Sequence, residues 1–324
     1  MAEEEKQEQI SVADATEATR REQVISRAVC RDCVAGLNSL PEKSVACVIT
    51  SPPYNIGLKY GTHDDNRADY LEWMKSVFVG IMRVLTDNGH FFLQVGGIAR
   101  NPTIPLLLLP MALAAGFVVQ NQIVWIKSIT VGDESHGPFK PVNSNRFLNQ
   151  TNEFIFHLTK AGNVPVDRLA VGVPFADKTN IARFDHEKDV RCRGNSWFIP
   201  YEPIHKPNDH PAVFPVALPE MCIKLSGAPE GSLVIDPFVG SGTTLVACEK
   251  LGMTGLGFDI DNAYVEYANR RLERLNRERS IEVGGERTGE AAEDGGQRDV
   301  HVPRSPEDGE GITGLQKSEY HSLI

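Results

Sequence analysis

No stretch of this 324-residue chain approaches the roughly 18 consecutive apolar residues that a membrane span needs. The most apolar segment, IPLLLLPMALAAGFVV (104–119), is interrupted by Pro105, Pro110 and Gly116 and reads as a buried helix. The opening MAEEEKQEQ lacks the basic and apolar regions of a secretory signal, which points to a cytoplasmic protein. Cys30 and Cys33 form a lone C-x-x-C, without the second ligand pair of a zinc site, so no metal is expected. Internal repeats are lacking as well. A positive balance is also missing, because the net charge is −10. That excess is confined to the ends: residues 1–24 carry −4 and residues 278–324 carry −6. Residues 25–277 are neutral and can still hold a basic cleft, so an anionic partner is not excluded.

The tail 281–324 is rich in Gly, Glu, Asp and Arg and lacks apolar periodicity, as expected of a disordered acidic segment. Residues 1–24 read the same way. Between them, 25–280 has the alternation of a folded domain. VACVIT (45–50), HFFLQV (90–95), FVVQNQIVWIK (117–127), NEFIFHLTK (152–160), GSLVIDPF (231–238) and MTGLGFDID (253–261) read as strands. RADYLEWMKSVFVGIMRVLT (67–86) has helical spacing and a stop at Asp87-Asn88-Gly89. Further helices are expected over 212–226, after the Gly-Ser-Gly turn, and over 262–278. Strand–helix alternation implies an α/β sheet covered on both faces. Residues 128–150 and 161–209 break the pattern, being long, irregular and polar, with scattered Lys, Arg and Trp197. They are candidates for functional insertions.

VIDPFVGSGTT runs from strand to loop to helix. Gly240 and Gly242 permit a sharp turn and close approach of a ligand. Asp236 closes the strand, and Asp259 ends the next one 23 residues later. An acid at about that distance after a Gly-rich turn suits ribose hydroxyls. No Lys follows the glycines, as a Walker loop requires, and the third glycine of a dinucleotide fingerprint is absent. A tight βα turn would explain the glycines alone. With both aspartates, a nucleoside-type cofactor is the stronger reading.

Ser51-Pro52-Pro53-Tyr54 follows the first apolar strand, and DPFVGSGTT lies about 185 residues further on. Together, in this order, they resemble the catalytic and cofactor motifs of beta-class, circularly permuted DNA amino-methyltransferases. RDCVAGLNSLPEKSVACVITSPPYN, NSWFIP and HPAVFPVALPEMCIKLS add to the resemblance, which covers roughly residues 27–277. It implies a Rossmann-like methyltransferase fold, a seven-stranded mostly parallel sheet with one antiparallel strand and an inverted hairpin at one edge. It implies S-adenosyl-L-methionine as cofactor, bound by Asp32, Phe214, Pro215, Asp236, Phe238, Gly240, Ser241, Gly242, Thr243, Thr244 and Asp259. It implies double-stranded DNA as partner, leaves room for a cognate restriction endonuclease, and suggests a prokaryotic or phage-encoded, nucleoid-associated setting.

The implied chemistry gives Ser-Pro-Pro-Tyr a purpose. An exocyclic amine is a poor nucleophile, since its lone pair is delocalised into the ring. Ser51 Oγ and the Pro52 carbonyl are expected to accept the amine hydrogens and aim the lone pair. Pro52 and Pro53 fix φ and hold those acceptors in place. Tyr54 offers a face for stacking, and the base must first be flipped out of the duplex. Serine at the first position favours cytosine N4, with adenine N6 as the alternative. An inert DNA-binding module would leave both motifs without use, and a Rossmann oxidoreductase leaves Ser-Pro-Pro-Tyr unexplained. Target contacts are expected from the two insertions, which supply Lys140, Asn143, Asn145, Arg146, Lys178, Arg183, Arg191, Arg193, His205 and Lys206.

Overall fold

The computed structural model describes residues 26–57, 59–60, 63–64, 66–139, 142–183, 188–200 and 214–286. The expected disordered segment 1–24, most of the tail, and Lys140, His205 and Lys206 lie outside the described residues. The unit that carries the sheet ends at Ser280. Of the following unit, only residues 281–286 are described, and they are helical rather than disordered.

In chain order the elements are β1 (Arg27–Cys30), α1 (Cys33–Asn38), β2 (Val45–Thr50), β3 (Lys59–Tyr60), β4 (His63–Asp64), α2 (Tyr70–Val84), β5 (Leu85–Val95), α3 (Ile104–Ala114), β6 (Val118–Ile126), β7 (Ile129–Val131), β8 (Glu134–His136), β9 (Asn152–Thr159), α4 (Thr179–Arg183), β10 (Ser196–Phe198), α5 (Ala217–Ser226), β11 (Leu233–Asp236), α6 (Thr243–Lys250), β12 (Thr254–Asp259) and α7 (Asn262–Glu286). The main sheet runs β1-β12-β11-β2-β5-β9-β6-β10. Every pairing is parallel except those of β9, which runs antiparallel to both β5 and β6. The hairpin formed by β6 and β9 is therefore present, with β9 inserted next to β5.

Strand periodicity sorts the core into two layers, since successive side chains face opposite sides of a sheet. Val48, Phe91 and Leu93 face α2 and α3, packing with Met74, Phe78, Ile81 and Leu108. Cys47, Ile49 and Phe92 face the other way, against Leu218, Cys222 and Ile223 of α5 and Ala247 and Cys248 of α6.

Three expectations change. The helix over 67–86 ends at Val84, because Leu85 turns extended and pairs with Val45. The register then steps from Val45↔Leu85 to Cys47↔His90, so Asp87-Asn88-Gly89 bulges out of β5 instead of capping a helix. The all-apolar helix α3 is not fully buried. It rests on α2 with one face, burying Ile104, Pro105, Leu108 and Ala112, while Leu106 is 68% exposed. Finally, Trp197 belongs to the scaffold rather than to an irregular insertion. Ser196–Phe198 adds an eighth strand alongside β6, its alternation puts Trp197 in the core, and the indole nitrogen donates to Gly194 O at 3.1 Å.

Candidate active site

The site forms at the carboxyl ends of the parallel strands, where ligands of open α/β sheets bind. β2 and β11 lie side by side, with Cys47 opposite Val234 and Val48 opposite Ile235. Two residues far apart in sequence therefore emerge together. Thr50 Oγ1 donates to Asp236 Oδ1 at 2.6 Å. Asp236 also accepts from Phe238 N at 3.1 Å and, through Oδ2, from Thr244 Oγ1 at 2.6 Å. The carboxylate is 1% exposed. Burial pushes its pKa up to about 6, against the opposing hydrogen bonds from Thr244, Thr50 and Phe238. Both oxygens are thus engaged by the protein, and Asp236 clamps the end of β2, the glycine loop and α6 into one piece.

The glycine loop has the backbone shape that its sequence allows. Gly240 (φ 47°) and Gly242 (φ 81°) are left-handed, and a Cβ on Gly242 would lie 2.8 Å from Ala268 Cβ in α7. Gly240 N donates to Asp259 Oδ2 at 3.1 Å, and Asp261 N to Asp259 Oδ1 at 2.9 Å. Burial raises the pKa of Asp259, and those two N–H groups counteract it. Ser241, Thr243 and Thr244 are buried. Arg271 of α7 braces them by donating to Thr243 Oγ1 at 3.1 Å and Ser241 O at 3.3 Å. Asp32 lies just past β1, whose Cys30 pairs with Asp259 across the sheet. It is exposed and caps α1 by accepting from Ala35 N at 3.0 Å. Phe214 is half-buried and Pro215 buried, both just before α5. Phe238 meets Trp73 edge-on at 5.6 Å, and the Arg67 guanidinium lies 4.8 Å from the Trp73 ring centre.

Ser51-Pro52-Pro53-Tyr54 follows β2 directly. Tyr70 OH donates to the Pro53 carbonyl. Asn55, at φ 55°, closes the turn by bracketing the Arg67 backbone: it accepts from Arg67 N at 2.6 Å and donates to Arg67 O at 3.2 Å. Tyr54 OH accepts from Gly96 N at 2.8 Å and from Gln94 Nε2 at 3.4 Å, and lies 3.4 Å from Ser51 Oγ. Burial, and then the charge of Glu153, push the phenol above its ordinary range, so it stays protonated at neutral pH. Gln94 Nε2 donates onward to Glu153, which pairs with Lys127 at 2.7 Å. A cavity of about 340 Å³ opens beside Tyr54, among Asn55, Arg67, Asn101, Ile104 and Leu107.

Thr50, Trp73, Gln94 and Glu153 escaped sequence reasoning. Their signal is faint: Gln94 is a polar residue inside the apolar run of HFFLQV, and Glu153 follows Asn152 at the polar start of NEFIFHLT. The expected DNA contacts are not gathered into one described cluster. Arg146 is exposed, with its guanidinium 5.5 Å from the Phe147 ring centre. Arg183 ends α4 and is exposed, as are Asn143 and Asn145. Lys178 pairs with Asp189. Arg191 Nη1 donates to Cys192 O at 3.3 Å and Arg193 Nε to Val171 O at 2.9 Å, so both guanidinium groups brace backbone.

A left-handed glycine loop with an acid on the neighbouring strand end is the arrangement by which open α/β sheets hold a nucleoside cofactor. The chain belongs to the DNA methylase family of N6 and N4 methyltransferases, whose model matches residues 45–270. It is 31% identical over 253 residues to the type II methyltransferase M.HpaI of Haemophilus parainfluenzae, covering 76% of this chain and 74% of that one. TTHA0409 of Thermus thermophilus, solved with S-adenosyl-L-methionine, superposes with a TM-score of 0.54 at 27% identity, covering 77% of this chain and 94% of that chain. The cytosine-N4-specific PvuII DNA methyltransferase shares the fold at a TM-score of 0.57 and 20% identity, covering 76% of this chain and 90% of that one. The cofactor is S-adenosyl-L-methionine, and the residues fit it: the loop turns at two left-handed glycines, with a half-buried carboxylate on the adjacent strand end.

Proposed function

We propose that this DNA methyltransferase acts on the exocyclic N4 amine of a cytosine flipped out of duplex DNA. The observation that carries the reading is the Thr50–Asp236–Thr244 clamp, which fixes the Ser-Pro-Pro-Tyr turn against the glycine loop. S-adenosyl-L-methionine supplies a methyl group on a sulfonium. Gly240, Gly242 and Asp259 would hold its nucleoside end, with Asp32, Phe214, Pro215 and Phe238 around it. Ser51 Oγ and the Pro52 carbonyl accept the two amine hydrogens and turn the nitrogen lone pair toward the methyl group. The N–C bond would form as the sulfonium S–C bond breaks, leaving a neutral thioether on the spent cofactor, and the methylated nitrogen would lose one proton to water. Tyr54 bears against the base ring. Residues 25–280 form the catalytic domain, with target recognition from 128–150 and 161–209, where Asn143, Asn145, Arg146, Lys178, Arg183 and Arg191 are the exposed candidates among the described residues.

Neutral Ser51 at the first motif position favours cytosine. Adenine N6 is the second reading, because adenine presents the same pair of groups, an amine beside an acceptor ring nitrogen, and the family spans both. Ser51→Ala tests the assignment. With labelled cofactor and plasmid DNA, its single-turnover rate should fall by about 100-fold, while affinity for S-adenosyl-L-methionine holds. A wild-type rate contradicts the role given to Ser51.

A further inference from the structure

We infer that Glu153 is a positioning residue that sets the direction of the hydrogen bond between Tyr54 and Ser51, an inference that rests on the methyltransfer reading above. Gln94 is 2% exposed and lies between Glu153 and Tyr54. A carboxylate only accepts hydrogen bonds, so the part of Gln94 that faces Glu153 must be its NH2. That same nitrogen is 3.4 Å from Tyr54 OH, so it donates there as well. Gly96 N donates to the same oxygen at 2.8 Å. Both lone pairs of the phenol are then occupied, and its proton is left for Ser51 Oγ, 3.4 Å away. The direction runs from Glu153 through Gln94 and Tyr54 to Ser51.

Two features keep Glu153 in place. Lys127 Nζ pairs with Oε1 at 2.7 Å, leaving Oε2 for Gln94. Gly96 leaves room for the side chain, since a Cβ there would lie 2.5 Å from Glu153 Cδ. The consequence reaches the substrate. Ser51 spends one lone pair on Tyr54 and keeps one lone pair and its own proton for the target. A donor and an acceptor side by side match an amine next to an acceptor ring nitrogen, the edge shared by cytosine and adenine. In thymine the exocyclic group and the ring nitrogen present these roles reversed. The chain of bonds therefore selects amino bases as a class and leaves the choice between them to other groups.

The test is a double-mutant cycle. In Glu153→Gln the introduced amide can donate to Gln94 Oε1, which lets Gln94 turn its carbonyl toward Tyr54 and draw the phenol proton away from Ser51. The single-turnover rate should drop by about tenfold or more, with S-adenosyl-L-methionine affinity kept within twofold. In a Tyr54→Phe background the same substitution should change the rate less than twofold, because the group it acts through is gone. Gln94→Leu should reproduce the result and serves if Glu153→Gln does not fold. A second readout needs no activity: in protein labelled at tyrosine Cζ, the carbon resonance lost in Tyr54→Phe should shift in both variants. Equal losses with and without the Tyr54 hydroxyl, or an unmoved Cζ resonance, overturn the inference. A wild-type protein that methylates no DNA would defeat the methyltransfer reading instead, with the Cζ shift still deciding the direction of the bonds.

Discussion

Asp259 and the buried histidines show how a single side chain can be assigned by what it touches. Asp259 takes one backbone N–H on each oxygen and keeps acceptor capacity at the sheet edge. Asp259→Ala should therefore weaken S-adenosyl-L-methionine binding by about 1.5–3 kcal/mol, the worth of a hydrogen bond to a charged group. Calorimetry checks this, and an unchanged dissociation constant removes the ribose assignment. His90 and His157 lie 2.9 Å apart, with Asn121 Nδ2 2.9 Å from His157 Nδ1. The Asn121 amide donates, so His157 Nδ1 accepts and its Nε2–H points at His90. Burial lowers the two pKa values to about 4 and about 3 from an ordinary 6.5. Their stabilisation is complete above 6.5 and drains as the pH falls toward those folded values, because the unfolded chain binds the protons first. Asp236, raised to about 6, acts in the opposite sense between pH 6 and 4. The stability lost between pH 6.5 and 4.5 should thus be smaller in His157→Gln than in wild type, measured by denaturant unfolding. Equal losses would show that the histidine pair does not titrate in that window.

At the scale of elements, burial and composition separate most clearly in α3. Leu108 is fully buried between α2 and the sheet, whereas Leu106, two residues away, is 68% exposed. Leu108→Ala should cost about 2–5 kcal/mol, and Leu106→Ala should stay within about 0.5 kcal/mol. Similar melting losses for the two would mean that the outer face of α3 is covered. The sequence could not reveal this difference, because a run of leucines carries no polar face to mark the outside. Elements with a clear pattern were legible. Val45–Thr50 matches its apolar run residue for residue, and Gly116, at φ 103°, stops α3 as a C-terminal glycine should. Short or interrupted elements were not. Arg27–Cys30 and Ser196–Phe198 are too brief for a period to show, and the Asp87-Asn88-Gly89 turn signal marks a bulge where a helix cap was expected. The site followed the same division. Its glycines, prolines and Asp236 belong to contiguous motifs, whereas Gln94 and Glu153 meet Tyr54 only through the pairing of β5 with β9, where Gln94 and Ile155 are opposed.

For the whole molecule, charge and chemistry lie in different places. The neutral stretch 25–277 contains both motifs, and the acidic excess lies at the two ends. An acidic tail repels DNA if it acts at all. A chain truncated after Glu286, which keeps all of α7, should methylate plasmid DNA at the full-length rate. A folded, cofactor-binding truncate without activity would contradict that. We propose that the Ser-Pro-Pro-Tyr turn, clamped to the glycine loop through Asp236, presents an amino base of DNA for methyl transfer. Sequencing that detects modified bases in DNA from a host expressing the protein tests it most directly. The expected result is N4-methylcytosine at one recurring sequence, absent from a host expressing Ser51→Ala. N6-methyladenine at such a sequence would move the target to adenine, and DNA without any new methylated amine would contradict the account.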